Sequence, residues 1–444
     1  MKTSYSFRRE FQVGSLITAV AFFLICAPLF SQEISRLNRQ WSYPSLAENW
    51  EARKQYENLI KAPLNRLSDR RVHTYRQLEN GETVRFRIKK ENNAVFLLFE
   101  RQDPYGMYPS YLAGNASIKR DWGSGEPAQM TFLLRDRNDC YVRIYPRQGR
   151  VAMEIKLFDV LIHKTVMLPV SFDVLTTSPF SRIVELTSDR VDWETILHQG
   201  KPDPRINEMI TVIRKQIPYL KDCDDGAYNS RGVPVYIGTG AQSTGGMNCS
   251  GFAKWVVDGF YYPLKNRYSD IGELKGKAGD LRGNRWSERY ERERDPYFGL
   301  DWSRNLATVL EEARRGYPVM NRPVMNREEF DIRDVPYYNY IEDVGYPVAD
   351  LKLILFLLGS RDPNRFYIGS VNQDFGSDPQ LRQHIHLVLL FPTFAPDGAF
   401  DVTVMERNEE MTLGSLKLRY KNDFIHLVGL QAEGVFSPQS FKVD

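Results

Sequence analysis

One of the four cysteines stands in a setting built for reactivity. In VYIGTGAQSTGGMNCSGFAKWVVDGF (Val235 to Phe260) a run of small residues breaks into Asn-Cys-Ser-Gly, and helical spacing begins at once. Phe252, Trp255, Val256 and Phe260 recur at helical intervals, so the helix starts at or just before Cys249. Asn248 is a good N-cap residue. A thiol in the first helical turn meets unpaired backbone N–H groups and the positive end of the helix dipole, which lower its pKa. Gly245, Gly246, Ser250 and Gly251 leave room for a substrate backbone. The competing reading is a buried structural cysteine that happens to begin a helix.

A nucleophilic thiolate needs a base, normally histidine, and the base needs a polar group to orient it. The chain has six histidines. His384 and His386 lie on one strand, QHIHLVLLF, and strict alternation puts them on one face with Val388 and Leu390. The loop PTFAPDGAF leads to VMERN; a hairpin centred on Pro396 sets His386 opposite Glu406 and His384 opposite Asn408. Either pair supplies a base and an orienter, and the other histidine is a sheet residue. Gln242 and the backbone N–H of Cys249 are candidates for holding the oxyanion. His-x-His with Glu406 and Cys249 also has the makings of a metal site, but a Gly-rich loop and a helix start suit a nucleophile better. The fragment DCDDG (Asp222 to Gly226) lacks the spacing and closing Glu of a calcium loop. No metal or cofactor is expected. His163 and His426 read as sheet residues, and His73 and His198 belong to no constellation.

The elements that position these groups follow from periodicity. Arg8 and Arg9 precede an apolar run, Val13 to Phe30, with a small residue after it: the pattern of a secretory signal peptide over 1–31. Its removal takes away Lys2, Arg8, Arg9 and Glu10, so the formal charge drops from +3 to about +1. A nucleic-acid partner then has no electrostatic support. Cys140, Cys223 and Cys249 remain, an odd number, with Cys140–Cys223 the candidate bridge. A helical segment (32–78) opens at a capping box around Ser45 to Glu48. From Gly81 the period becomes two, as in VRFRIKK, and short strands with turn-rich connections predict an all-β sandwich-like domain over 79–200. A helix carrying Ile206, Ile210, Ile213 and Ile217 on one face opens an α+β half over 201–444. That half contains a charged insertion (about 263–346) with the tandem PVMNRPVMNR, a candidate lid. The buried helix ADLKLILFLLG and four strands close it.

Together these residues resemble the NlpC-type cell-wall endopeptidases, a branch of the papain-like cysteine peptidases. The resemblance covers about Ile206 to Leu430, interrupted by the insertion. PVYIGTGAQSTGGMNCSGFAKWV is similar to the family's nucleophile motif, with Asn248 where the family usually has Asp. HIHLVLLF resembles its histidine strand. The polar third residue maps to Glu406 or Asn408, and Glu406 departs from the usual His, Asn or Gln. The upstream tyrosine corresponds most nearly to Tyr236. The resemblance implies a papain-like α+β domain and a secreted cysteine hydrolase. Its catalytic residues would be Cys249, His386 (or His384) and Glu406 (or Asn408), with Tyr236 near substrate; Gln242 and Ser250 join Tyr236 as substrate-side candidates from their place beside Cys249. It further implies a peptide or peptidoglycan-stem substrate and a place in the periplasm or cell envelope. An inactive papain-like binding scaffold, or an amidase or acyltransferase with the same dyad, stays open.

Overall fold

Eight strands follow one another along the first part of the chain and pair in that same order. The computed structural model describes residues 46–67, 72–91, 93–276, 299–316, 329–376 and 381–441. The expected signal peptide, and the tandem at 318–327, lie outside the described residues. The strands are β1 (His73–Arg76), β2 (Thr83–Glu91), β3 (Ala94–Arg101), β4 (Ala116–Asp121), β5 (Pro127–Leu133), β6 (Tyr141–Arg147), β7 (Arg150–Leu157) and β8 (Val160–Leu168). They form one antiparallel meander with β1 and β8 at its edges. Alternation works as read: β2 buries Val84, Phe86 and Ile88.

The expected sandwich is corrected to a single sheet covered by helices from both ends of this region. Before it come α1 (Trp50–Gln55) and α2 (Glu57–Ile60); after it come α3 (Phe172–Thr176), α4 (Phe180–Thr187) and α5 (Trp193–Ile196). Tyr56 stacks on Phe86 at 4.6 Å, Phe132 meets Phe180 at 5.3 Å, and Phe180 meets Trp193 at 5.5 Å. Alternation reports that one face of each strand is buried, but a helix can cover that face as well as a second sheet. Helix α1 also starts later than the capping box suggests. Glu48 accepts from the N–H groups of Asn49 and Trp50, while the Asn49 amide donates to Phe99 and Gly114 carbonyls and so ties the helix to the sheet.

The second half opens with α6 (Pro204–Gln216), capped by Asp203 and burying Ile206, Met209, Ile210 and Ile213. A short hairpin, β9 (Gly226–Tyr228) and β10 (Pro234–Tyr236), precedes α7 (Cys249–Lys265). Then come α8 (Ile271–Leu274), α9 (Leu300–Arg315), β11 (Tyr346–Pro347), α10 (Leu351–Arg361), β12 (Arg365–Phe375), β13 (Leu381–Phe394), β14 (Phe400–Glu406), β15 (Glu409–Thr412), α11 (Leu413–Arg419) and β16 (Phe424–Gln431). These strands make an antiparallel sheet ordered β11-β16-β12-β13-β14-β15. One face packs Ile368, Leu387, Leu389, Phe391 and Val428 against α7 and α9. The other face meets α10 and α11.

Helix α9 falls within the segment read as an insertion and candidate lid. Its Trp302, Leu306 and Leu310 are buried in the same core as α7, so this part is scaffold and not cover. The two sheets meet through α10: Phe158 lies 5.3 Å from Phe356 and 5.8 Å from Phe400, and the Arg135 guanidinium sits 4.3 Å over Phe356. The fold is thus α+β with two large antiparallel sheets. Cys140, Cys223 and Cys249 are all free thiols, so the candidate bridge is not made. Among the described residues no helix is long and apolar enough to cross a membrane.

Candidate active site

The turn before α7 is built to bring a helix start close to other backbone. Gly245 and Gly246 take φ of 102° and 104°, a region that disfavours side chains. A Cβ on Gly251 would sit 2.3 Å from the Gly226 carbonyl, so only glycine lets the first turn of α7 lie on β9. Asn248 caps the helix with its side-chain oxygen, accepting from Gly251 N–H at 2.8 Å, while its amide donates to the Asp224 carbonyl at 3.1 Å. An Asp would do only the first of these. The asparagine is therefore the residue that satisfies both partners, and it keeps a negative charge away from the adjacent thiol.

Cys249 begins α7 and is 2 % exposed. The polar groups that act on its sulfur are, first, the His386 side chain and then the Leu387 N–H. His386 in turn bonds Glu406 through Nε2 and Oε2, which leaves Nδ1 for the sulfur. The second carboxylate oxygen of Glu406 accepts from Arg419 on α11. Tyr420 follows, its ring 6.3 Å from the His386 ring.

The electrostatics are those of an ion pair. Burial works to raise the Cys249 pKa, but the hydrogen bond and charge of His386, the Leu387 N–H and Arg407 outweigh it and the thiol is lowered. Burial disfavours the His386 cation, yet Cys249 and Glu406 hold it up to about 9. Glu406 falls to about 2, because His386 and Arg419 overcome its desolvation. The arrangement can hold a thiolate beside an imidazolium at neutral pH.

The hairpin brings His386 and Glu406 together, though through a different register. Leu389 pairs with Met405 and Phe394 with Phe400, which centres the hairpin on Asp397 rather than Pro396. Continued by one step, that ladder sets Glu406 opposite Val388, with His386 the next residue on the same face. Moving the centre by one residue moves each partner by two, so the face is conserved.

His384 is a correction. Val371 pairs with His386 and Asn372 with His384, so Ile385 is an extra residue in β13. This bulge breaks the alternation and puts the two histidines on opposite faces. His384 goes to the side that packs on α9, and neither shares a base role nor forms a His-x-His ligand pair. Among the described residues no group of three or more His, Cys, Asp or Glu is placed to hold a metal ion. Asn408 is a second correction: β14 ends at Glu406, and Asn408 sits in the two-residue turn to β15. Ser250 is a third. Its side chain is fully buried and its carbonyl accepts from Trp302 Nε1 at 3.0 Å, so α9 covers it. Tyr236 and Gln242 are exposed on the β10 hairpin and make no side-chain hydrogen bond among the described residues.

Arg419, Tyr420 and Arg407 had no signal in the sequence. A second polar cluster was also missed, on the α9 face of the sheet. His426 Nε2 meets Tyr340 Oη at 2.9 Å and Asp331 at 3.5 Å; Asp331 takes two bonds from Arg304, which also reaches Asp343 at 3.0 Å. A cavity of about 380 Å³ beside it is lined by Arg314, Asp331 and Arg365 and touches no member of the Cys249 group.

A family described as a domain of unknown function, DUF8515, matches residues 43–195, roughly a third of the chain. That span holds the meander sheet and its helices and excludes Cys249. No curated protein and no solved structure matches the chain.

Proposed function

We propose that this protein is a cysteine hydrolase whose second half is a papain-like domain of the NlpC type. The observation that carries the reading is the chain Cys249–His386–Glu406, with the sulfur at a helix start and the base on the neighbouring sheet. The Cys249 thiolate attacks an amide carbonyl, the C–N bond breaks as the His386 imidazolium protonates the leaving amine, and a thioester remains. Water activated by neutral His386 then releases the acid and regenerates the thiol. Glu406 keeps the ring oriented, and the N–H of Cys249 faces the developing oxyanion. Peptide bonds of peptidoglycan stems are the substrate class that the motif resemblance supports. Export through the N-terminal apolar segment fits that target, and the meander sheet would serve targeting or gating. The same dyad would also serve an amidase or acyltransferase. One observation favours the non-catalytic scaffold: Cys249 is nearly closed to solvent.

Iodoacetamide labelling of Cys249 across pH separates the two. Labelling that stays fast well below the ordinary thiol pKa, survives His384→Ala and is lost in His386→Ala supports catalysis. A thiol that titrates ordinarily, or is inert in all three proteins, leaves the scaffold.

A further inference from the structure

Cys249 is 2 % exposed and His386 8 %, so a substrate reaches them only when something above them yields. Among the described residues, one ion pair joins the two halves of this site. Arg407 Nη1 meets Asp222 Oδ2 at 3.0 Å. Arg407 follows Glu406 directly, in the turn between β14 and β15, and has a φ of 47°. Asp222 forms a bridge with Met247, two residues before Cys249. The pair therefore ties the orienter's strand to the nucleophile's loop.

The two arginines flanking the site differ in how firmly they are held. Arg419 bonds the buried Glu406 carboxylate and also lies 4.0 Å from Glu409, so it is held by two carboxylates. Arg407 and Asp222 have side chains 42 % and 45 % exposed, and neither carboxylate nor guanidinium has another hydrogen-bond partner among the described residues. An exposed single pair of this kind is weak and exchangeable. A guanidinium also presents paired N–H donors that match a carboxylate well.

Resting on the cysteine-hydrolase reading, we propose that Arg407 is the substrate's carboxylate receptor. In the resting protein Asp222 occupies it as an internal stand-in. A substrate with a free carboxylate close to the scissile amide displaces Asp222, which releases the tie between loop and strand and places its carbonyl at Cys249. Arg407 adjoins Glu406 in the chain, and its partner Asp222 bridges to Met247, two residues before Cys249, so its charge stands at the rim of the same site. The substrate class is thus an anionic peptide, and a neutral amide of similar size is handled poorly.

The test compares two alkylating probes of nearly equal size, anionic iodoacetate and neutral iodoacetamide, on Cys249 of the full chain. Because the ratio of rates is read within each protein, partial misfolding cancels. Arg407→Gln lowers the iodoacetate-to-iodoacetamide ratio, by roughly threefold or more for one nearby charge, and Arg407→Lys recovers part of it. Asp222→Asn raises the ratio, and that rise disappears when Arg407→Gln is added. If Asp222→Asn raises the ratio equally with Arg407 absent, only a negative charge was removed and the receptor is overturned. A ratio indifferent to Arg407→Gln, with rapid acid-pH iodoacetamide labelling retained, also overturns it while leaving the hydrolase standing. An ordinary thiol in the wild type removes both readings together.

Discussion

Two clusters, each of a histidine, a carboxylate, an arginine and a tyrosine, sit on opposite faces of one sheet. His386, Glu406, Arg419 and Tyr420 occupy the face towards α11, and His426, Asp331, Arg304 and Tyr340 occupy the face towards α9. In each, a histidine on a strand meets a carboxylate that an arginine also holds. They differ in what completes them. The first has a thiol at a helix start and an arginine whose side chain is 45 % exposed; in the second, Arg304, Asp331 and His426 are closed to solvent. Arg304 grips Asp331 with two nitrogens and fastens α9 to the segment after 329 and to β16. The residue types alone therefore do not separate a reactive site from a structural pin. A thiol beside the histidine does.

The largest expected effect lies in the pin. Asp331→Asn leaves the Arg304 cation buried without its main partner and costs about 3–5 kcal/mol in a denaturant titration. The acid-pH labelling of Cys249 in the folded fraction stays as in the wild type. A change in that labelling would mean that the two faces are coupled. In the first cluster the order reverses. His386→Ala lowers turnover of a peptide substrate on the order of 10²- to 10⁴-fold with a smaller loss of stability.

Glu406→Gln sharpens the contrast through pH. With the carboxylate charge gone, the alkaline limb of the labelling profile moves below the value of about 9 that His386 has in the wild type. The linkage to stability carries a definite sign. His386, raised from roughly 6.5, stabilises the fold fully below that pH and loses its contribution as pH rises to about 9. Glu406, lowered from roughly 4.3, contributes above that pH and loses it as pH falls towards about 2. Unfolding midpoints of wild type and Glu406→Gln should therefore converge at the acid end of that window; a constant gap would deny the ion pair.

The smaller effects test the helix start and the turn. Asn248→Asp costs about 1 kcal/mol, because a carboxylate then faces the Asp224 carbonyl, and it raises the acid limb of Cys249 labelling. Asn408→Ala changes stability by less than about 0.5 kcal/mol and leaves the labelling profile in place. A marked effect of Asn408→Ala would reopen its candidacy as orienter.

Much of the scaffold was legible because it is local. Helical spacing after Asn248 placed the start of α7 at Cys249, and alternation in VRFRIKK identified the buried face of β2. The pairing of His386 with Glu406 was read from a hairpin centre one residue off, and it survived because the error moved each partner by two. The assumption of unbroken alternation did not survive at Ile385, since a bulge is set by how β12 and β13 pair and has no signature in QHIHLVLLF. The expected sandwich failed for a related reason: nothing in strand spacing says whether a sheet or helices cover the apolar face.

The sequence by itself determined that a cysteine opens a helix, that a histidine strand and an acidic strand form a hairpin, and that glycines precede that cysteine. These depend on neighbours a few residues apart, where periodicity and turn chemistry act directly. Only the tertiary structure decided that His386 and not His384 meets Cys249, that Arg419 holds Glu406, and that Arg407 spans to Asp222. Those contacts join positions 13 to 185 residues apart, and such distances are closed by the packing of helices on a sheet, for which local pattern carries no information.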